Sequence, residues 1–390
     1  MPIDVAKVRA DTPGVGNILH FNNAGAALPP RSVVSTAVRH LEREAEIGGY
    51  EAEQEAHGRL EAVYASIARL LNCDASEVAV IENATRAWDM AFYSLPLRKG
   101  DRILTAMAEY ASNYIAFLQA AKTKGVEIVV VPNDNHGQID VAALSRMIDE
   151  RTKLIAITHV PTNGGLVNPA AAVGRVARRA GVPFLLDACQ SAGQMPLDVE
   201  VIGCDMLSAT GRKFLRGPRG TGFLYVRKSI LEKLEPAFLD LHAATWTSKD
   251  SYKLRPDARR FENWETNIAA KLGLGTAVDY ALALGLGDIR SRVVSLAGSL
   301  RRRLADIPGV SVKDLGAEKC GIVTFTYEGR EPEKMRTQLR AKRINAWISG
   351  PSSTRLDMED RQIPMLVRSS VHYYNTEQEI LRFCEVVRSL

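Results

Sequence analysis

Short runs of consecutive apolar residues recur through the first 230 positions, separated by stretches of helical spacing. Such runs occur at 78–81 (VAVI), in the segment 101–110 (DRILTAMAEY), at 126–132, from 153, at 182–186, at 206–209 and at 222–226 (GFLYV). Apolar residues at successive rather than alternate positions mark strands covered on both faces. Strands alternating with helices predict a mainly parallel sheet with right-handed crossovers. Residues 31–71 keep helical spacing, broken at Gly48 and Gly49, and residues 21–30 (FNNAGAALPP) read as a loop. From Pro236 to Arg260 the periodicity is weak and the segment reads as an irregular excursion. Beyond it the pattern changes. A long amphipathic helix (289–304), strands at 310–312 and 322–327, and helices at 333–342 and 376–390 predict an α+β unit. The expected division is a large α/β domain over 21–275 and a smaller one formed by 1–20 plus 276–390.

The chain of 390 residues is long enough for two such domains. Its 50 basic and 45 acidic residues leave a net charge of +5, spread along the chain, so no nucleic-acid partner is indicated. The cluster Arg301–Arg303 reads as the solvated face of a helix. No stretch reaches the roughly 20 apolar residues of a membrane span, and the N-terminus lacks a signal core. Five scattered cysteines show neither CxxC nor metal-ligand spacing, which fits free thiols, no metal and a cytoplasmic, reducing compartment.

Candidate chemistry concentrates in residues 184–222, FLLDACQSAGQMPLDVEVIGCDMLSATGRKFLRGPRGTG. Asp187 closes a buried strand at the sheet edge where α/β proteins bind ligands. Thr210, Gly211, Arg212 and Lys213 follow a second strand. A lysine beside a fixed arginine and partly desolvated has a lowered pKa and the makings of a Schiff-base nucleophile. An Asp on the neighbouring strand could keep a pyridine nitrogen protonated. Taken singly, Asp187 reads as a cap and Lys213 as a surface residue; the joint pattern is more specific. The turn Glu82-Asn83-Ala84-Thr85 opens a helix whose free N–H groups suit a phosphate, although alone it reads as an ordinary N-cap. His159, inside a predicted strand, reads as a packed core histidine.

These segments together resemble the class V aminotransferase group of fold-type I pyridoxal-phosphate enzymes, which takes in cysteine desulfurases, selenocysteine lyases and isopenicillin N epimerase-like proteins. The resemblance runs from FNNAGAALPP to VRSSVHYYNT (367–376). It implies a large domain with a mainly parallel seven-stranded sheet, a smaller α+β domain and pyridoxal 5′-phosphate as cofactor. It implies that Lys213 carries the cofactor, that Asp187 meets its ring nitrogen, and that Gln190 meets its phenolic oxygen, joined by Thr162 or Asn163. Ala84, Thr85, Thr210 and Arg212 surround the phosphate by the same resemblance, with Arg212 where relatives carry histidine. Tyr110 stands in place of a stacked histidine; it can stack, but its ordinary pKa near 10 makes it a poorer acid–base group. Arg368 matches the arginine for the substrate carboxylate, and the loop holding Asn23 lines the entrance. The family's arm from a neighbouring subunit brings a threonine to the phosphate. Here that place reads Glu265, followed by Thr266, and Trp264 beside it walls the substrate pocket or packs a subunit interface. A homodimer with shared sites is implied. Arg216, Arg355 and Arg361 could add positive charge but read as solvated.

Desulfurases need a loop cysteine that takes sulfur as a persulfide. That place is held by Ser353, and no cysteine lies between Cys320 and Cys384. The expected reaction is therefore cleavage of a Cβ–S or Cβ–Se bond of a cysteine-like amino acid without a protein persulfide. An aminotransferase or epimerase is the alternative, and a phosphate-ligand binding protein that has lost catalysis the second.

Overall fold

The structure, a computed structural model, describes residues 3–390. Its centre is a seven-stranded sheet in the spatial order 78–81, 222–226, 206–210, 184–187, 152–158, 102–106, 127–131. Every neighbouring pair is parallel except those made by 222–226, which runs against both its neighbours. Side chains alternate between two buried faces, which is why the runs lack polar positions. Leu104, Ile155, Ile157, Phe184, Leu186, Leu207 and Phe223 pack on one side with helices 49–71, 170–180 and 268–284. Ile103, Leu154, Ala156, Leu185, Met206 and Leu224 pack on the other with helices 84–93 and 111–124. The strand expected from Val182 begins at Phe184, because Pro183 has no N–H to enter the ladder; its carbonyl still accepts from Ile155.

The smaller unit is a four-stranded antiparallel sheet in the order 310–312, 322–327, 366–370, 347–349. Its core of Leu296, Leu300, Val323, Phe325, Val367 and Phe383 also takes in Phe21, and Leu19–His20 pairs with Ile344–Asn345. Helix Ile268–Leu284 buries Leu274, Val278 and Ala281 in the larger core and breaks at Gly285 (φ 82°) into helix Leu286–Ala305. We propose that the division between the units falls at this glycine rather than at residue 275, inside a helix.

Some expectations about single segments do not hold. Within 236–260, residues Ala244–Ser248 and Ser251–Leu254 form an exposed antiparallel hairpin. Its Trp246 and Tyr252 are exposed and only its base at Ala244 is buried, so the segment shows no inward-facing period. Arg301 is not solvated: its guanidinium pairs with Asp314 at 2.7 Å and donates to the carbonyls of Cys320 and Ile322. Arg216 is fully buried, and Arg361 is drawn onto Asp357 at 3.1 Å and the Lys313 carbonyl, while Arg355 stays exposed beside Glu359. His159 lies one residue past its strand, buried, with Nδ1 unpartnered. No single helix among the described residues is long and apolar enough to cross a membrane.

Candidate active site

Because six of the strands run parallel, their C-terminal ends deliver six loops to one edge of the sheet. Register places Thr158, Asp187 and Ser208 side by side, and Ile81, Gly222 and Thr210 side by side. Gly222 is needed there: a Cβ would lie 2.8 Å from the Asn83 carbonyl carbon and 3.0 Å from the Ala84 nitrogen. That approach seats the helix Ala84–Tyr93, with Asn83 as its N-cap, against the end of the strand that leads to Lys213. The first N–H groups of this helix, Ala84 and Thr85 among them, have no intrahelical acceptors and face an anion favourably.

The turn bearing Lys213 is held from several sides. Gly217 N–H donates to the Gly211 carbonyl at 2.8 Å, and Arg216 N–H to the Lys213 carbonyl at 2.9 Å. Ala27, in the loop 21–30, donates its N–H to the Arg212 carbonyl at 2.9 Å, and His372 Nε2 meets the Phe214 carbonyl at 2.8 Å. Burial holds His372 far below its ordinary pKa, so the neutral ring donates here. Gly193 (φ 90°) touches the same turn; a Cβ there would lie 2.4 Å from the Leu215 nitrogen. Lys213 itself is desolvated, which lowers its pKa; Cys189 and Asp187 pull it back up, while Arg212 and Arg368 push further down.

Asp187 is buried and oriented through both oxygens: Oδ1 accepts from Cys189 N–H at 2.9 Å and Oδ2 from Asn113 Nδ2 at 2.9 Å. Gln190 donates Nε2 to the Ala24 carbonyl at 3.1 Å and to Thr162 Oγ1 at 3.3 Å, while its Oε1 is buried without a partner. The Thr162 hydroxyl accepts from Gln190 and from Arg368, so its own proton is left for a bound oxygen. Asn163 turns away and donates to the Gly350 carbonyl and Thr354. Arg368 reaches across from the smaller sheet; burial lowers it to about 10, with Tyr110 opposing, and its Nε has no partner. Arg212 is half-buried, touches Thr210 Oγ1 at 3.2 Å and has no carboxylate partner among the described residues.

Three expected residues stand apart. Asn23 is fully buried with both ends of its amide consumed, by the Ser370 carbonyl at 2.7 Å and the Tyr374 hydroxyl. It ties the two units together and offers nothing to a substrate. Thr266 and Trp264 do not join Lys213 within one chain. Thr266 lines a cavity of about 570 Å³ with Glu82, Glu265 and Lys271, and Trp264 is half-exposed, its N–H bonded to Asp240 at 2.7 Å. Two further residues do belong to the site. Cys189, two positions after Asp187, lies in the field of Lys213 and Arg212; burial and Asp187 push its thiol up, so it stays protonated. Glu109, next to Tyr110, is buried and connected to Asp187 through Asn113. Adjacency to Asp187 and Tyr110 was the signal for both.

An ammonium of lowered pKa, an oriented carboxylate on the next strand, free helix N–H groups and an unpartnered amide oxygen form the donor and acceptor set of a pyridoxal-phosphate site. Comparison with known proteins agrees. The aminotransferase class-V model matches residues 19–383, and the chain belongs to that family. A probable cysteine desulfurase of Xylella fastidiosa is 31% identical over 97% of this chain and 94% of its own. The apo cysteine desulfurase of Thermococcus onnurineus NA1 superposes with a TM-score of 0.93 at 26% identity, covering 100% of this chain and 98% of that one. The cystine C–S lyase C-DES, solved with its product cysteine persulfide, shares the fold with a TM-score of 0.87 at 24% identity, over 97% and 99% of the two chains. The protein is a pyridoxal 5′-phosphate-dependent enzyme, a lyase or a transferase.

Proposed function

We propose that this enzyme cleaves the Cβ–S or Cβ–Se bond of a cysteine-like amino acid and passes no sulfur to a thiol of its own. The observation that carries this reading is the loop at Ser353. Its carbonyl accepts from Ala111 N–H at 2.9 Å beside Tyr110, and it carries a serine at the position that the family resemblance assigns to a sulfur-accepting cysteine. The thiol that does stand near Lys213, Cys189, is held protonated and is a poor nucleophile.

The bound cofactor supplies an electron sink that weakens the bonds at the substrate's Cα. Lys213 would hold it covalently, with the Asp187 carboxylate serving its ring nitrogen, the Thr162 hydroxyl donating to its phenolic oxygen beside Gln190, Tyr110 near its ring, and Ala84, Thr85, Thr210 and Arg212 around its phosphate. Arg368 takes the substrate carboxylate as a bidentate partner, which its free Nε permits. Lys213 would then be placed to take the Cα proton as a base; loss of the sulfur from Cβ with its bonding pair and addition of water would leave pyruvate, ammonia and free sulfide or thiol. Thr266 and Trp264 reach this site from a second subunit, in a homodimer. The exposed side chains of Trp246, Leu241 and Trp264 beside the arm support that assembly. Five free cysteines support a cytoplasmic, reducing setting.

A double variant, Cys189→Ser with Ser353→Ala, tests the reading. Turnover of a cysteine-like substrate within a few-fold of wild type is expected. Loss of sulfur release in that variant, with normal cofactor loading, would mean that the Cys189 thiol accepts sulfur or that the Ser353 hydroxyl takes part in the cleavage, and would overturn the reading.

A further inference from the structure

Behind Asp187 lies a second buried carboxyl that the reaction does not use. Glu109 is 3% exposed and is surrounded by donors from three elements. Its Oε1 accepts from Tyr110 N–H at 2.9 Å, Asn113 Nδ2 at 2.9 Å and the Thr158 hydroxyl. Its Oε2 accepts from Thr158 N–H at 3.0 Å and Thr105 Oγ1 at 3.1 Å. No lysine or arginine pairs with it among the described residues. The Asn113 amide nitrogen is shared, one hydrogen for Glu109 and one for Asp187 Oδ2.

We propose that Glu109 is a positioning residue: through Asn113 it fixes the orientation of Asp187, and through the Tyr110 N–H it fixes the residue that walls the site. The proposal rests on the assignment of Asp187 to the cofactor ring. The amide plane of Asn113 is set at Glu109, and its second hydrogen is thereby aimed at Asp187. With Cys189 N–H on the other oxygen, the carboxylate cannot turn. The geometry requires a carboxylate at 109. Each of its oxygens faces a backbone N–H that cannot rotate away, so a glutamine would set its NH₂ against one of them in either orientation. The charged group facing Glu109 is Asp187. Burial and then this like charge, against the opposing hydrogen bonds, raise Glu109 to about 7, so Glu109 changes charge in the neutral range.

The test compares Glu109→Gln, Asn113→Ala and the double variant with wild type, with Asp187→Ala as control. Two quantities are read: the affinity of the cofactor-free protein for pyridoxal phosphate, and the pH dependence of the bound cofactor's absorbance. Each single variant should bind about 10- to 100-fold more weakly, and both should move the absorbance titration in one direction. The double variant should be no worse than the poorer single, since both act along one path. Wild-type affinity and titration in the singles, or losses that multiply in the double, would overturn the proposal. Should Glu109→Gln not fold, Asn113→Ala, which leaves Glu109 its other donors, decides alone. If Asp187→Ala binds as tightly as wild type, the Asp187 assignment itself fails. If that control weakens binding while Glu109→Gln and Asn113→Ala do not, only the present proposal falls.

Discussion

Arg216 offers the sharpest check on how the lysine turn is held. It is fully buried and sits at φ 64°. Its Nε donates to the Leu28 carbonyl at 2.8 Å, Nη1 to Tyr373 OH at 2.7 Å and Nη2 to Thr12 Oγ1 at 2.5 Å. The guanidinium also lies 4.7 Å from the Tyr374 ring centroid and 5.1 Å from that of Tyr373. Arg216→Met preserves much of the stem and removes the fork. Thr12 keeps its bond to the Val8 carbonyl, so the groups left without a partner are the Leu28 carbonyl and the Tyr373 hydroxyl. Each costs about 1–3 kcal/mol when buried and unpaired, and the lost cation–π contacts add about 1 kcal/mol. Relief of the guanidinium's own desolvation works the other way, since no carboxylate pairs with it among the described residues. The net expectation is a loss of about 2–4 kcal/mol, against a total stability on the order of 5–15 kcal/mol. The variant should fold, with a clearly lower urea midpoint by circular dichroism. It should also bind cofactor more weakly, because the guanidinium anchors the turn after Lys213 to Leu28, Tyr373 and Thr12. Arg216→Lys, with its donors on one atom, should fall between the two. A Met variant as stable as wild type would mean that the buried charge costs as much as its bonds return, and the argument would be wrong.

Other outcomes follow from the same geometry. Lys213→Ala should lose covalent cofactor, read as no pyridoxyl adduct in the mass spectrum after borohydride reduction, and all turnover; an adduct on another lysine would move the assignment. Burial lowers His159 to about 4 from its ordinary 6.5, so the unfolded chain binds the extra proton, and stability falls as pH drops from 6.5 towards 4, by roughly 3 kcal/mol at most. His159→Phe should flatten that acid limb in pH-dependent unfolding, and an unchanged limb would assign it to other groups. Arg368→Ala should lower kcat/KM about a hundredfold or more, chiefly through KM, and leave the resting cofactor spectrum in place. A normal KM would remove Arg368 from carboxylate binding.

What could be read from the sequence is what local pattern dictates. Strands buried on both faces announce themselves as unbroken apolar runs, and Asp187 and Lys213 follow directly from where two of those runs end. The chain could not announce which partner a side chain finds at long range. Arg216 and Arg301 read as surface because arginine usually is; their acceptors lie on segments up to 204 positions away. Asn23 differs from its expectation for the same reason, being spent on Ser370 and Tyr374, while Thr162 stands between Gln190 and Arg368. The hairpin 244–254 stayed hidden because no core imposes a period on it. Glu109 and Cys189 sat beside expected residues, but only the fold turns them onto Asp187 and Lys213.

The central claim concerns where the sulfur goes, and product analysis tests it most directly. Purified enzyme loaded with pyridoxal phosphate is incubated with cysteine-like substrates and no oxo-acid acceptor; pyruvate, ammonia, alanine, free sulfide or thiol, and protein-bound sulfur are then quantified. The account predicts pyruvate and ammonia in equal amounts, matched by free sulfide or thiol, with no sulfur on the protein. Alanine together with a protein persulfide, or a single stoichiometric transfer of the amino group to the cofactor, would contradict it.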